Sequence, residues 1–316
     1  MALPPPGARN VPPSTTSETD VVGRRTAFIL AFVLSPITLW LLFVSVISQQ
    51  SVAATGLPLG SPGGQLGMLL ATVGLLIISQ TARWSSTGFF TLAGWSGAFY
   101  LFLTVRFTAI PLPPLAEGDE LLFWCRLPLL VFVIALGAGI ATRRVRRLAS
   151  QEPPVAPTPS ADQDPHSSQI STEKRAWPLT ILCVLIASVI AALILSIAPR
   201  TSEPLILHRP DLYLNTSTES TLVVLLAAAA LFVLTWLAGF SVVSVQVGAW
   251  AVLLLPGLVV IPLIVTSAEL MPTPENEPLV ALSFALPVVG AVGAVVAATT
   301  HVLLVLSKHE DDSGAF

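Results

Sequence analysis

Four groups of side chains in this sequence are of a type and spacing that bear on chemistry. His208-Arg209-Pro210-Asp211, with Glu219 farther on, brings together an imidazole, a guanidinium and two carboxylates. These are the ingredients of acid–base catalysis or of a metal site. Short polar loops carry such mixtures without function, so no catalysis is expected there. Arg126 falls about one turn inside an apolar segment; a guanidinium at that depth marks an ion pathway or snorkels back to the interface. Snorkelling is the favoured reading. His301 would titrate near neutrality, but it has no acidic partner in its own segment and reads as an interfacial or packed residue. Arg143, Arg144, Arg146 and Arg147 close another apolar segment. Such a cluster suits anionic lipid headgroups and also holds its end of a helix on the cytoplasmic side.

The recognised reaction motifs do not occur. There is no Gly-x-Ser-x-Gly, no His-Glu-x-x-His and no phosphate-cradling Gly-rich loop ending in Lys-Ser or Lys-Thr. The chain is therefore expected not to be an enzyme, with no cofactor and no metal. Cys125 and Cys183 sit in or beside apolar segments, too few for a disulfide framework or a Cys-rich metal site. The short basic run lacks interleaved aromatics and abuts an apolar segment, which argues against nucleic-acid binding.

The elements that must position these residues follow from composition. Hydrophobic residues make up 53% of the chain and charged residues only 10%, against roughly a quarter charged in ordinary soluble domains. The chain reads as an all-α, polytopic integral membrane protein with eight transmembrane helices, at about 26–47, 64–82, 88–105, 121–142, 177–198, 220–238, 245–266 and 278–306. Each is long enough to cross a hydrocarbon core of about 30 Å at about 1.5 Å per residue. A cleaved signal ending at Val52-Ala53-Ala54 is the rival for the first, but its apolar run exceeds the roughly 7 to 15 residues of such signals. Residues 1–23, rich in Pro, Ser and Thr, are expected to be a disordered tail. Residues 143–176 form a basic, Pro-rich linker between two membrane units, 24–142 and 177–306, and 307–316 form a polar tail.

Orientation follows from the basic residues on alternate sides. Eleven fall with the N-terminal tail, the turn at Arg83, the linker and the C-terminus, and four (Arg106, Arg126, Arg200 and Arg209) fall opposite. Both termini are expected in the cytoplasm, in a cell membrane. The two units also resemble each other. Ala82-Arg83-Trp84-Ser85 parallels Ala238-Gly239-Phe240-Ser241, and Leu127-Pro128 after one acidic, Pro-rich loop parallels Leu286-Pro287 after another. This predicts two tandem four-helix units related by an axis along the membrane normal. Helix contacts in lipid favour small residues, which predicts packing faces at Gly67, Ala71 and Gly74, at Gly137 and Gly139, and at Gly290, Gly293 and Ala294.

No Asp, Glu or Lys lies within the apolar segments beyond their edges, which argues against a proton- or sodium-driven transporter. The expected function is that of a non-enzymatic accessory or scaffold component of a cell-envelope complex. Its partners would be membrane lipids and either another membrane protein or a second copy of the chain. The alternative is a carrier or permease for a hydrophobic or amphipathic solute. A polar cavity between the units would favour the carrier, and a continuous apolar face the scaffold.

Overall fold

A computed structural model describes residues 16–53, 61–110, 113–114, 116–149, 165–207, 217–270, 273 and 276–313. Eight helices are long and apolar enough to cross a membrane: α1 (Thr16–Ala53), α2 (Pro62–Gln80), α3 (Thr87–Thr108), α4 (Leu127–Ala149), α5 (Pro165–Ile197), α6 (Thr218–Leu237), α7 (Val242–Ser267) and α8 (Glu277–Ser313). No strand occurs among the described residues. The chain therefore has the character of a multi-pass membrane protein, with every expected span present.

Local chemistry sets several of the starts. Ser61 accepts the Gly64 amide hydrogen at 3.1 Å ahead of Pro62, which is tolerated in a first turn because its missing N–H has no intrahelical partner there. Ser217 and Ser241 cap α6 and α7 in the same way. Some boundaries differ from expectation. The first helix starts at Thr16, ten residues before the apolar run begins at residue 26; residues 1–15 of the expected disordered tail lie outside the described residues. The linker is helical over 143–149 and 165–176, with 150–164 outside the described residues.

The fourth helix begins at Leu127 rather than at residue 121. Glu120–Phe123 forms a single helical turn, and Arg126 reverses the chain with φ of 48° before α4 begins. Arg126 is thus ahead of the helix, not one turn inside it. Hydropathy could not reveal this break, because the residues around it, Leu121 to Cys125, are as apolar as those in α4 and fully buried. The seventh helix is wound with wide π turns over Ala249–Leu254 and Pro256–Val260. Pro256 and Pro262 lack the N–H groups that ordinary α turns would use there.

In the first half α1 packs on α2 and α3, and α3 on α4; in the second α5 packs on α6 and α7, and α7 on α8. Across the halves α4 meets α6, α8 meets α2, and α4 meets α8. Helix α8 also reaches α1 and α5, so it is the centre of the bundle: 89% of its apolar window is buried, against 22% for α5. Residues 283–300 are buried without interruption. A helix apolar on all sides takes this position, and small residues let its neighbours come close. A Cβ placed on Gly257 of α7 would lie 2.5 Å from the Gly290 amide nitrogen, and one on Gly293 would lie 2.5 Å from that of Leu254. The expected glycine face of α2 meets hydroxyls of α1, Gly67 against Ser45 and Gly74 against Thr38. Gly137 of α4 meets Thr235 of α6 in the same manner.

Candidate functional site

Polar groups collect at the two ends of the bundle. At one end lie the start of α1, the α2–α3 and α6–α7 turns, and the last turns of α4. Trp84 of the first turn lies close to Gly23 of α1. The arginine cluster ties this end together. Arg146 donates to the Trp84 carbonyl at 3.2 Å and to the Ala82 carbonyl. Arg143 donates to Ser86 Oγ at 3.3 Å, and its guanidinium lies 4.1 Å from the centre of the Phe90 ring. Arg144 turns to the other half, 3.8 Å from the Phe240 ring centre and 5.9 Å from that of Trp236.

These arginines have aromatic and carbonyl partners because the helix continues through them to Ala149. At 3.6 residues per turn, Arg143 and Arg144 diverge by about 100° around the axis and reach opposite neighbours. Between them opens a cavity of about 470 Å³, lined by Ile140, Arg143, Arg144, Arg147 and Leu148. Neither Arg143 nor Arg144 is paired with a carboxylate among the described residues. Cation–ring contacts orient a guanidinium without neutralising it, so the cavity keeps positive charge and N–H donors. Such a lining has the charge and the donors that suit an anion.

The opposite end carries the other charges. Arg106, at the end of α3, pairs with the fully buried Asp119 and lies 3.6 Å from Glu120. Arg126 donates to Thr221 Oγ1 of α6 at 2.8 Å, so it bridges the halves. Its carbonyl accepts from Leu129 and Leu130 at 2.8 and 3.3 Å, which closes the first turn of α4. Behind it Cys125 is buried, and loss of hydration pushes its thiol up to about 12. A cavity of about 450 Å³ lies beside the end of α5 and the start of α6, with Trp124, Arg200, Thr201, Ser217 and Glu219 in its lining. The loop residues His208, Arg209 and Asp211 lie outside the described residues. Among the described residues no three His, Cys, Asp or Glu side chains gather as a metal site.

The six residues singled out from sequence therefore divide three ways. Arg143, Arg144, Arg146 and Arg147 share one end, Arg126 is at the other, and His301 is exposed on α8 just past its buried run. Two glutamines escaped sequence reasoning. Gln246 of α7 donates to the Ala297 carbonyl and to Thr300 Oγ1, each at 2.8 Å, while its own oxygen accepts from Trp250 Nε1 at 2.9 Å. Gln50 of α1 donates to the Phe284 carbonyl at 3.0 Å, one residue from the Ser283 carbonyl that Pro287 deprives of its usual donor. The available signal was an amide side chain at the edge of an apolar run.

Compared with known proteins, the chain matches no family model, no curated protein and no solved structure.

Proposed function

We propose that the chain is an integral protein of a cell membrane, with its arginine-rich end and both termini in the cytoplasm. Its role is that of a non-enzymatic accessory or scaffold component of an envelope complex. The observation that carries this reading is the contrast between α8 and α5. The interior is occupied by α8, whose buried Val, Ala and Phe side chains fill the space where the halves meet. From residue 177 on, helix α5 buries only the stripe Cys183, Ala187, Ile190 and Ile194. It leaves Ile181, Leu182, Leu185 and Val189 exposed, a chargeless face broad enough to take another apolar helix.

The shared neighbour order of the halves, 1–2, 1–3, 3–4 and 5–6, 5–7, 7–8, supports the further reading of two tandem four-helix units. The cross-contacts α4·α6 and α8·α2 are the pair that a two-fold axis would exchange, and α4·α8 would lie on it. A second reading, a carrier for a hydrophobic or amphipathic solute, draws on α7. Its π turns and the Pro287 interruption beside it resemble the irregular helices that line transport pathways.

The test is affinity purification from native membranes in mild detergent, with mass spectrometry of what is recovered. A partner or second copy at near-equal stoichiometry supports the accessory role. Recovery of the chain alone as a monomer, together with altered solute uptake in cells lacking it, would favour the carrier.

A further inference from the structure

The arginine cavity stands at the foot of a track. Along α4 the half-buried residues Leu129, Val133, Leu136 and Ile140 recur at intervals of four, three and four, the spacing of a single helical face. Arg143, Arg144 and Arg147 continue that face directly, three, four and seven residues beyond Ile140. Helix α4 packs on α3 on one flank and on α6 on the other, so the apolar face forms the floor of a groove between those helices. Its length from residue 129 to 140 is about 16 Å at about 1.5 Å per residue, close to half of a hydrocarbon core of about 30 Å.

We propose that this groove seats one anionic phospholipid of the cytoplasmic leaflet, its phosphate between Arg143 and Arg144 and an acyl chain along Ile140, Leu136 and Val133. Charge complementarity selects an anionic headgroup, and the apolar track selects a lipid over a free phosphate. The Arg143 and Arg144 guanidiniums are positioned before the ligand arrives. Arg143 is held by Phe90 and Ser86 in the first half, and Arg144 by Phe240 and Trp236 in the second. Little side-chain order is then lost on binding. Because one phosphate would bridge arginines anchored to different halves, the lipid would act as a clasp between them. The inference rests on the membrane reading above but holds for a scaffold or a carrier alike.

The test uses the full chain purified in detergent, with native mass spectrometry after addition of phosphatidylglycerol, phosphatidylcholine or inorganic phosphate. Wild type should retain phosphatidylglycerol in preference to phosphatidylcholine. The double variant Arg143→Gln/Arg144→Gln should lose that preference by roughly tenfold or more, since each arginine near an anionic surface contributes about fivefold. Arg25→Gln/Arg83→Gln, which removes equal charge at the same end outside the cavity, should keep it. Equal retention of the two lipids by wild type, equal loss in both variants, or inorganic phosphate displacing phosphatidylglycerol would each overturn the site. Should the cavity variant fail to fold, photoreactive phosphatidylglycerol on the wild type decides. Adducts concentrated on 129–148 and on the parts of α3 and α6 that flank it support the groove, and adducts spread evenly over all helices refute it. Release of the chain from membranes by alkaline carbonate would instead overturn the membrane reading, independently of headgroup preference.

Discussion

Arg126 occupies the left-handed backbone region at φ 48°, which costs a side-chain-bearing residue about 1–2 kcal/mol. The turn is retained because the residue does two jobs, bonding Thr221 through its side chain and closing α4 through its carbonyl. Arg126→Ala removes the bond and keeps the strain, whereas Arg126→Gly removes both. The glycine variant should therefore be the more stable by about 1 kcal/mol, read as midpoints in a detergent-solubilised unfolding series. An alanine variant equal to or better than the glycine variant would refute the strained turn. Cys125, beside it, has a thiol raised to about 12 by burial. The thiolate is the reactive form, so at pH 7 and at pH 9 alike the group stays overwhelmingly protonated and far less reactive than an ordinary thiol. In a Cys183→Ser background, maleimide should modify it only after denaturation; rapid labelling of the folded chain would show that the turn is open.

At the scale of the helix, the decisive contacts are those where backbone meets backbone. A methyl group on Gly257 would collide with the α8 backbone at Gly290, whereas one on Gly94 of α3 would meet nothing within 4 Å. Gly257→Ala should destabilise the bundle by about 1–3 kcal/mol, the usual range for overpacking, and Gly94→Ala should be neutral or slightly stabilising. Similar unfolding temperatures for the two would remove close α7–α8 approach from the account. The existence of the eight helices was legible in the sequence because each apolar run is long and bounded by polar turns. Their ranking was not. Helix α5 is more apolar than α8, with mean hydropathies of 2.9 and 2.4, yet α8 is the buried one. Lipid and protein interior are equally apolar, so hydropathy does not separate them. The clue lay in size, in the glycines and alanines that recur through α8. The π turns of α7 lie against α8 and left no signal in the sequence beyond two prolines.

At the scale of the whole molecule, the two halves are joined by 150–164 and meet through α4·α6, α8·α2 and α4·α8. If these contacts suffice, residues 1–149 and 150–316 expressed as separate chains in one cell should assemble and co-purify. Recovery of only one half would make the covalent link essential. The basic end was legible as a charge count, but its partners were not, because Phe90, in the first turn of α3, and Phe240, in the α6–α7 turn, are distant in sequence from the arginines. The central claim is that α8 fills the interior and leaves α5 as a face for another protein. It is tested most directly by placing a photo-crosslinking amino acid at Leu185, and separately at Leu39, in native membranes. Leu185 is exposed on α5 and Leu39 is buried in α1. The account predicts a discrete protein adduct from Leu185, either a partner or a second copy, and only intramolecular links from Leu39. Lipid adducts alone at Leu185, with solute or intermolecular adducts at Leu39, would contradict it.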